Sequence, residues 1–401
     1  MTLITHQDAK FWLILVPKLT GTLNLFKYTS KSTSNTSSLV RVLLYIVTVL
    51  NLVALAAFVF GLMAGETPPS SNGYIPIFGL FFPLIFFANA VFMVFWLIRK
   101  SWFTVVPVVI LAFGVNNFFD NFQLPFHTDS ADNARGVVKV LTYNVQQFRD
   151  GNKTPLPGIQ SDILTFINNE KADIVCLQEY QTTGRQIYET LKHTRDELNT
   201  GIYYYESYFN PKYDLLSGMV IFSKYTAVDK GKLKIEGSRT FGIFTDLLIN
   251  EDTVRVFNIH LASIKLGKED LGFVSSPANE SQEQLKVKSL AIYQKLNKAF
   301  LLREKQVALL KDMIVNTSYP ILLCGDFNDT PSSWVYHQLQ SHLNDSFVER
   351  GEGMSITFAG PIPLLRIDYI LHSGFKTTQY ARHRFKRSDH FPVTASLKLT
   401  Y

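Results

Sequence analysis

The sequence predicts two parts of different character: an N-terminal bundle of about three transmembrane helices and, behind it, a layered α/β or α+β domain. Three observations predict this. Apolar residues crowd the first 130 positions, and charged residues return at ordinary density afterwards. Two apolar runs before residue 100 reach the roughly 20 residues that a bilayer crossing requires. From residue 137 onward, short β-rich runs alternate with segments of helical periodicity.

The first run, residues 39–61, is interrupted by Arg41 near its start and by Asn51. The second, residues 74–98, carries no charge. A shorter third run, residues 102–119, contains Pro107, which transmembrane helices tolerate. Core helices of a soluble domain are the competing reading, and three such runs in succession with so few charges speak against it. The first long run starts too far from the N-terminus, and is followed too soon by another, for a cleaved signal peptide. Residues 11–16 are too short to span; with Lys10, Lys18, Lys27 and Lys31 around them, residues 1–38 read as a cytoplasmic or interfacial segment.

Those four lysines and Arg41 precede or open the first run, the loop 63–73 has Glu66 and no Lys or Arg, and Arg99 and Lys100 follow the second run. The positive-inside rule places such an N-terminus in the cytoplasm. Three crossings then put everything beyond residue 119 outside it. The expectation is an integral protein of the cell or inner membrane with an extracytoplasmic catalytic domain. Residues 120–136, with Pro125, Asp129, Asp132 and Asn133, read as a linker.

The chain carries a formal charge of +6, of which residues 1–130, with 7 Lys/Arg and 4 Asp/Glu, hold +3. The remaining +3 is spread over the rest of the chain, so charge argues little for long nucleic acid as a partner. Cys176 and Cys324, inside apolar strand-like runs, read as buried free thiols rather than a disulfide framework.

Within residues 137–401 one pattern recurs. VVKVLTYN ends at Asn144, DIVCLQE at Glu179, VRVFNIH at His260, and YPILLCGDFN at Asp326 and Asn328. RIDYIL carries Asp368, and SDHFPV opens with Asp389 and His390. Helical patterns lie at 157–170, 183–198 and about 282–314. Each polar residue alone has a structural reading: a turn, a cap, a hydrogen-bonded core histidine. Six strand ends that deliver carboxylates, amides and imidazoles to one rim form a polar cluster suited to a hard cation and a phosphate. Magnesium-like ions take oxygen ligands and keep several waters, and hydrolysis of a phosphoester then needs an oriented water and donors for developing charge. No nucleophile elbow, phosphate-cradling glycine loop or zinc-type Cys/His array occurs.

The ordered set TYNVQ, CLQEY, SGMVIFSKY, NIHLAS, GDFND, RIDYIL and SDHFPV resembles the endonuclease/exonuclease/phosphatase superfamily, over residues 137 to about 399. GDFND and SDHFPV are its most specific members. The resemblance implies an α+β fold, a four-layer α/β/β/α sandwich with the active site at one end of its two sheets. It implies Glu179, Asn144 and Asp389 at the metal, Mg²⁺ or Mn²⁺. Asp326 and Asn328 would then orient water and phosphate, His390 would stand at the scissile phosphate oriented by Asp368, and His260 would be the second histidine of the deoxyribonuclease and neutral sphingomyelinase branches. The expected activity is that of a membrane-anchored phosphodiesterase acting on nucleic acid, a lipid headgroup or a small phosphoester. A phosphomonoesterase, or a non-catalytic membrane scaffold of the same fold, is the alternative; the scaffold predicts loss of one of these residues, and all are present. The lipid bilayer is the expected partner of the N-terminal helices. The lysine- and glutamine-rich stretch 264–300 is an insertion or a substrate-facing flap, and the basic run 382–387 is a solvated face or a phosphate attractor.

Overall fold

The computed structural model describes residues 38–125, 136–149, 158–183, 187–210, 215–236, 238–275, 281–360, 362 and 364–400. Residues 1–37, which include the four N-terminal lysines, and residues 126–135, most of the expected linker, lie outside the described residues. Two compact units follow from the contacts, residues 1–53 and 54–401.

Among the described residues of the first unit, the chain is the opening half of helix α1 (Ser38–Ala64), whose apolar side chains are largely exposed. In the second unit, α1 continues and is followed by α2 (Ile75–Leu80), α3 (Phe82–Ile98), α4 (Val105–Phe113) and α5 (Val115–Asn121). Phe58, Phe82 and Leu111 form the centre of this helical cluster, and Asn89 donates from its amide to the carbonyls of Ala54 and Ile85 at 3.0 and 2.8 Å.

This differs from three regular spans. Among the described residues one helix, α1, is long and apolar enough to cross a membrane, and the count reaches two only if the bent pair 102–113 and 115–121 is one span. The run 74–98 breaks at Phe81 because Pro83 lacks the N–H that a continuing helix needs but fits the first turn of a new one, as Pro76 does at the start of α2. The remaining helix has 17 residues. The run 102–119 bends by 58° at Gly114, where helix propensity fails.

The rest of the second unit contains two six-stranded sheets packed face to face. In the first, β11 (Phe375–Arg382), β12 (Val393–Leu399), β1 (Val137–Asn144), β2 (Ile174–Thr183), β4 (Leu215–Ser223) and β3 (Ile202–Asn210) lie in that order. In the second the order is β5 (Thr226–Lys234), β6 (Thr240–Ile249), β7 (Asp252–His260), β8 (Ile321–Asp326), β10 (Asp368–Ser373) and β9 (Asn344–Asp345). The central pairs β1/β2 and β7/β8 are parallel and the others antiparallel. Val140, Cys176, Val256 and Cys324 share the core between the sheets, where both cysteines are free and buried.

Helices cover the outer faces. On the first sheet lie α6 (Ile159–Glu170) and α7 (Ile187–Glu197), through Ile163, Ile167 and Leu191. On the second lie the long α9 (Gln282–Val315) and α10 (Trp334–Gln340), through Val307, Leu310, Val335 and Leu339. The layers are helix, sheet, sheet, helix, as expected. Strands buried on both faces read as continuous apolar runs, which is why VVKVL and ILLC looked as they did. The stretch 264–300 forms α8 (Lys268–Ser275) and the first half of α9, which opens on a Ser281/Gln284 capping box.

Candidate active site

Side chains in a strand alternate between faces, so the residues facing the inter-sheet core can be followed to the strand ends. Val138 and Val140 lead to Thr142 and Asn144; Ile174 and Cys176 lead to Gln178; Val254 and Val256 lead to Asn258 and His260; Leu322 and Cys324 lead to Asp326. The inner layer is apolar over most of its length and polar at one end. The antiparallel β10 brings Asp368 to the same end, paired in register with Asp326, and His390 enters just before β12.

Glu179 arrives by a different route. The pairing of β2 with β4 slips between Leu177 and Tyr180, and Glu179 has a left-handed backbone (φ 53°). A bulge adds one residue and re-aims a side chain. Leu177 and Tyr180 both pack on the outer face, so the bulge lets Gln178 and Glu179 serve the inner end together. Glu179 therefore lies within a strand rather than at its end.

Asp326 is the buried centre of the cluster. Its Oδ1 accepts from the Asn328 backbone N–H at 2.8 Å, and its Oδ2 from the side-chain amides of Asn328 and Asn144, each at 3.1 Å. The same Asn328 amide donates to the Leu261 carbonyl at 3.0 Å. Asn328 needs φ 52° for this, and Gly325 just before has φ 141°, where a Cβ would collide with the Ile259 carbonyl.

His390 Nδ1 lies 2.8 and 3.1 Å from the two oxygens of Asp368, which fixes its tautomer. The opposite nitrogen, Nε2, is 3.7 Å from Asp326 Oδ2 and 4.0 Å from Asp389 Oδ1. His260 Nε2 approaches Asp326 Oδ2 at 3.5 Å and Glu179 Oε1 at 3.8 Å. All eight residues singled out in the sequence thus meet at one end of the sandwich. Asp326, Asp368 and His390 are buried, while Glu179 and Asp389 are about one-third exposed, at 30% and 33% of the side chain.

The electrostatics follow from burial and from the charges that face one another at the site. Burial opposes charge on His390, but Asp368 and then Asp326 outweigh it and push its pKa up to about 10. Burial raises the Asp326 carboxyl, against the pull of His390. It also raises Asp389, with His390 opposing and Glu179 and Asp326 adding to the rise. Buried and half-buried carboxylates, with amide and imidazole groups among them, suit a hard divalent cation. A buried Asp326/Asp368/His390 group meets the spacing for a metal. The ion-pair contact within it occupies Nδ1 of His390, and Glu179 and Asp389 stand beside it, more exposed.

Sequence reasoning missed the parts beneath. Ser388 donates to the Asn144 carbonyl at 2.7 Å and accepts from the His390 N–H at 3.2 Å. Gln146 accepts from the Asp389 N–H at 3.1 Å. Gln178 donates to Asn258 at 2.7 Å and to Thr142 at 3.1 Å, and Asn258 donates back to the Leu177 and Val220 carbonyls, tying the sheets together below the site. On α9, buried Arg303 lies 3.0 Å from Asp329 and donates to the Ala262 carbonyl at 2.8 Å, while Gln306 accepts from the Ala262 N–H at 2.9 Å. Gln178, Asn258 and Arg303 had a readable signal: each is a polar residue at a position the apolar pattern assigns to the core. The basic run is partly spent on structure, with Arg387 paired to Asp162 at 2.8 Å and His383 hydrogen-bonded to Thr394 at 2.9 Å.

Among known proteins, residues 141–390 match the model of the endonuclease/exonuclease/phosphatase family, and residues 44–121 that of a domain of unknown function (DUF8431). No curated protein matches the chain. Similar solved structures include an endonuclease/exonuclease/phosphatase from Beutenbergia cavernae DSM 12333, 17% identical over 66% of this chain and 72% of its own, with a TM-score of 0.45. The human Nocturnin catalytic domain with bound sulfate is 15% identical over 67% of this chain and 96% of its own, with a TM-score of 0.47. ANGEL2, a 2′,3′-cyclic phosphatase, is 16% identical over 65% and 95%, with a TM-score of 0.46. Because the family model spans more than half of the sequence and includes every residue of the cluster, the chain belongs to the endonuclease/exonuclease/phosphatase family.

Proposed function

We propose that this protein is a membrane-anchored, Mg²⁺-dependent phosphodiesterase whose catalytic domain faces away from the cytoplasm. The observation that carries the hydrolase is the grip on Asp326: three donors from Asn144 and Asn328 fix both its oxygens opposite the free nitrogen of His390. Glu179, Asp389 and Asn144 would hold the cation. When bound, it supplies positive charge to the phosphoryl oxygens. Asp326 orients the attacking water and takes its proton. Asn328 donates to a phosphoryl oxygen. His390, held by Asp368, presents Nε2 to the phosphate, and His260 adds a second donor beside Glu179.

Two sets of contacts support the topology. Ser70 and Gly79, which follow α1, bond to Glu304 and Thr330 of the catalytic part. Asn121 and Gln123, which end the helical segment, bond to Ser332 and Gly353. In a bilayer both ends of residues 80–121 then belong to the catalytic side, and the chain between them crosses an even number of times, two or none. A single crossing by α1 would put that side opposite the basic N-terminal residues. Exposed Val91, Leu97, Ile98, Val105 and Phe113 supply the apolar surface for lipid.

Among substrates, one observation favours an amphiphilic phosphoester over nucleic acid. Phe358 bridges to His390, ring centroids 5.4 Å apart. It shares an apolar cluster with Leu80, Phe81, Ile264, Leu296 and Ile362, and the apolar helix α3 starts at the next residue, Phe82. A lipid headgroup reaching the site keeps its tail on apolar surface. The test is a panel: full-length protein in nanodiscs with phospholipid and sphingolipid phosphodiesters, plasmid DNA, inositol phosphates and nucleotides. Mg²⁺-dependent release from a phosphodiester supports the reading; release from phosphomonoesters alone replaces it with a phosphomonoesterase.

A further inference from the structure

We infer that the short helices α2 and α5 are positioning elements of the catalytic loop 326–333, and that Thr330 is the positioning residue through which α2 acts on Asn328 and Asp326. This rests on reading that loop as catalytic, and it gives residues 75–121 a task beyond tethering.

A tether needs only a covalent link. Here the helical segment supplies polar partners deep under the site. Thr330 Oγ1 donates to the Gly79 carbonyl at 3.0 Å, in a buried bond. Gly79 is where α2 comes closest: a Cβ there would stand 2.9 Å from the Ser332 carbonyl oxygen and 2.8 Å from the Ala64 Cβ. Asn121 donates to Ser332 Oγ at 3.4 Å, also buried. The backbones of Gln123 and Gly353 exchange bonds of 2.9 and 2.8 Å. Arg366, buried and paired to Asp345 at 2.8 Å, sends its other nitrogen to the Asp120 carbonyl at 2.8 Å. Leu80 packs on Leu365 and Ile367.

These contacts reach both halves of the site. Thr330 is two residues from Asn328, whose backbone and amide hold Asp326. Ile367 precedes Asp368, which orients His390. Tyr369 joins the two loops, its hydroxyl lying 2.8 Å from the carbonyls of Asp329 and Arg366. A shift of α2 moves the Gly79 carbonyl, and the buried Thr330 hydroxyl either follows it or loses its partner. Asn328 sits in a left-handed conformation that asparagine tolerates, and its backbone N–H and amide both bond Asp326, so displacement of Thr330 disturbs the residue that orients Asp326.

The experiment uses full-length protein in nanodiscs, with bis(p-nitrophenyl) phosphate and Mg²⁺. Thr330→Val removes the hydroxyl and keeps the shape, Thr330→Ser keeps the hydroxyl, and Gly79→Val drives a side chain against Ser332 from the helix side. Thr330→Val and Gly79→Val are each expected to lower kcat about 10-fold or more with KM little changed, since small misplacements of catalytic groups cost up to about 100-fold. Thr330→Ser retains the wild-type rate, and the double variant is no slower than the slower single one. Hydrogen exchange over residues 326–333 rises in the two valine variants and not in Thr330→Ser, a readout independent of turnover. Unchanged exchange in both valine variants, or losses in kcat that multiply in the double variant, overturns the inference. If Gly79→Val does not fold, the Thr330 pair decides by the same two readouts. An inactive wild type with the expected exchange pattern refutes the assigned reaction and leaves the positioning intact.

Discussion

Asp368 and His390 are joined through Nδ1 at 2.8 Å while Nε2 of the same ring faces Asp326 at 3.7 Å. One carboxylate therefore sets the direction in which the other end of the ring acts. Asp368→Asn keeps the shape but no longer requires a proton on Nδ1. We expect kcat to fall by about 10²–10⁴, the range of general acid–base contributions, with an unchanged far-UV circular dichroism spectrum. A rate within a factor of two of wild type would remove Asp368 from the site.

His390→Ala and Asp326→Ala are expected to abolish measurable turnover. Asp326 draws three donors from two asparagines, so Asn328→Ala and Asn144→Ala should each weaken the reaction less than Asp326→Ala does. Steady-state rates of the four variants, normalised to folded protein, give the order directly.

Metal removal is the next expectation. Burial, with neighbouring acids adding to it, raises the proton affinity of Asp389 and Asp326, and a bound divalent cation would offset that cost. Hydrolysis should stop in EDTA and return with Mg²⁺ or Mn²⁺. Full activity in chelator would exclude the cation from the chemistry.

Arg303 and Asp329 form a buried pair behind the Asn328 loop. Arg303→Met leaves Asp329 buried without its counter-charge and should cost about 3–5 kcal/mol of stability. Adding Asp329→Asn should recover part of it, because the stranded charge is then gone. Denaturant unfolding of the two proteins measures the difference; equal stabilities would mean that Asp329 is not the source of the cost.

Gln178 and Asn258 link the two sheets at 2.7 Å. Gln178→Leu leaves a buried amide oxygen without a donor, worth about 1–3 kcal/mol. A shift of the unfolding midpoint with an unchanged slope is the expected signature.

Topology is open to a direct assay. In intact cells an external protease should reach the catalytic part, residues 137–401, while a tag at residue 1 stays protected until lysis. The reverse pattern would invert the orientation.

Much of the site was legible because strand periodicity is local. Val254 and Val256 lead to Asn258 and His260 by simple alternation, and the apolar run ILLC leads to Asp326 in the same way. The helices at 157–170, 183–198 and 282–314 were also legible, from apolar spacing, and appear as Ile159–Glu170, Ile187–Glu197 and Gln282–Val315. The regular three-span bundle was not: hydropathy sums over Pro83 and Gly114, but helix geometry breaks at them.

The amino-acid sequence by itself determined the family motifs, the polar strand ends and the apolar N-terminal third, since each depends on residue type and short spacing. Tertiary structure alone decided three things. The bulge at Glu179 depends on how β2 pairs with β4, a register set between strands. The reach of Arg303 to Asp329 joins residues on a helix and a loop that only sheet packing brings together. The bond from Thr330 to Gly79 spans 251 positions of sequence, and no local rule couples residues so far apart; it exists because burying both groups leaves each as the other's hydrogen-bond partner.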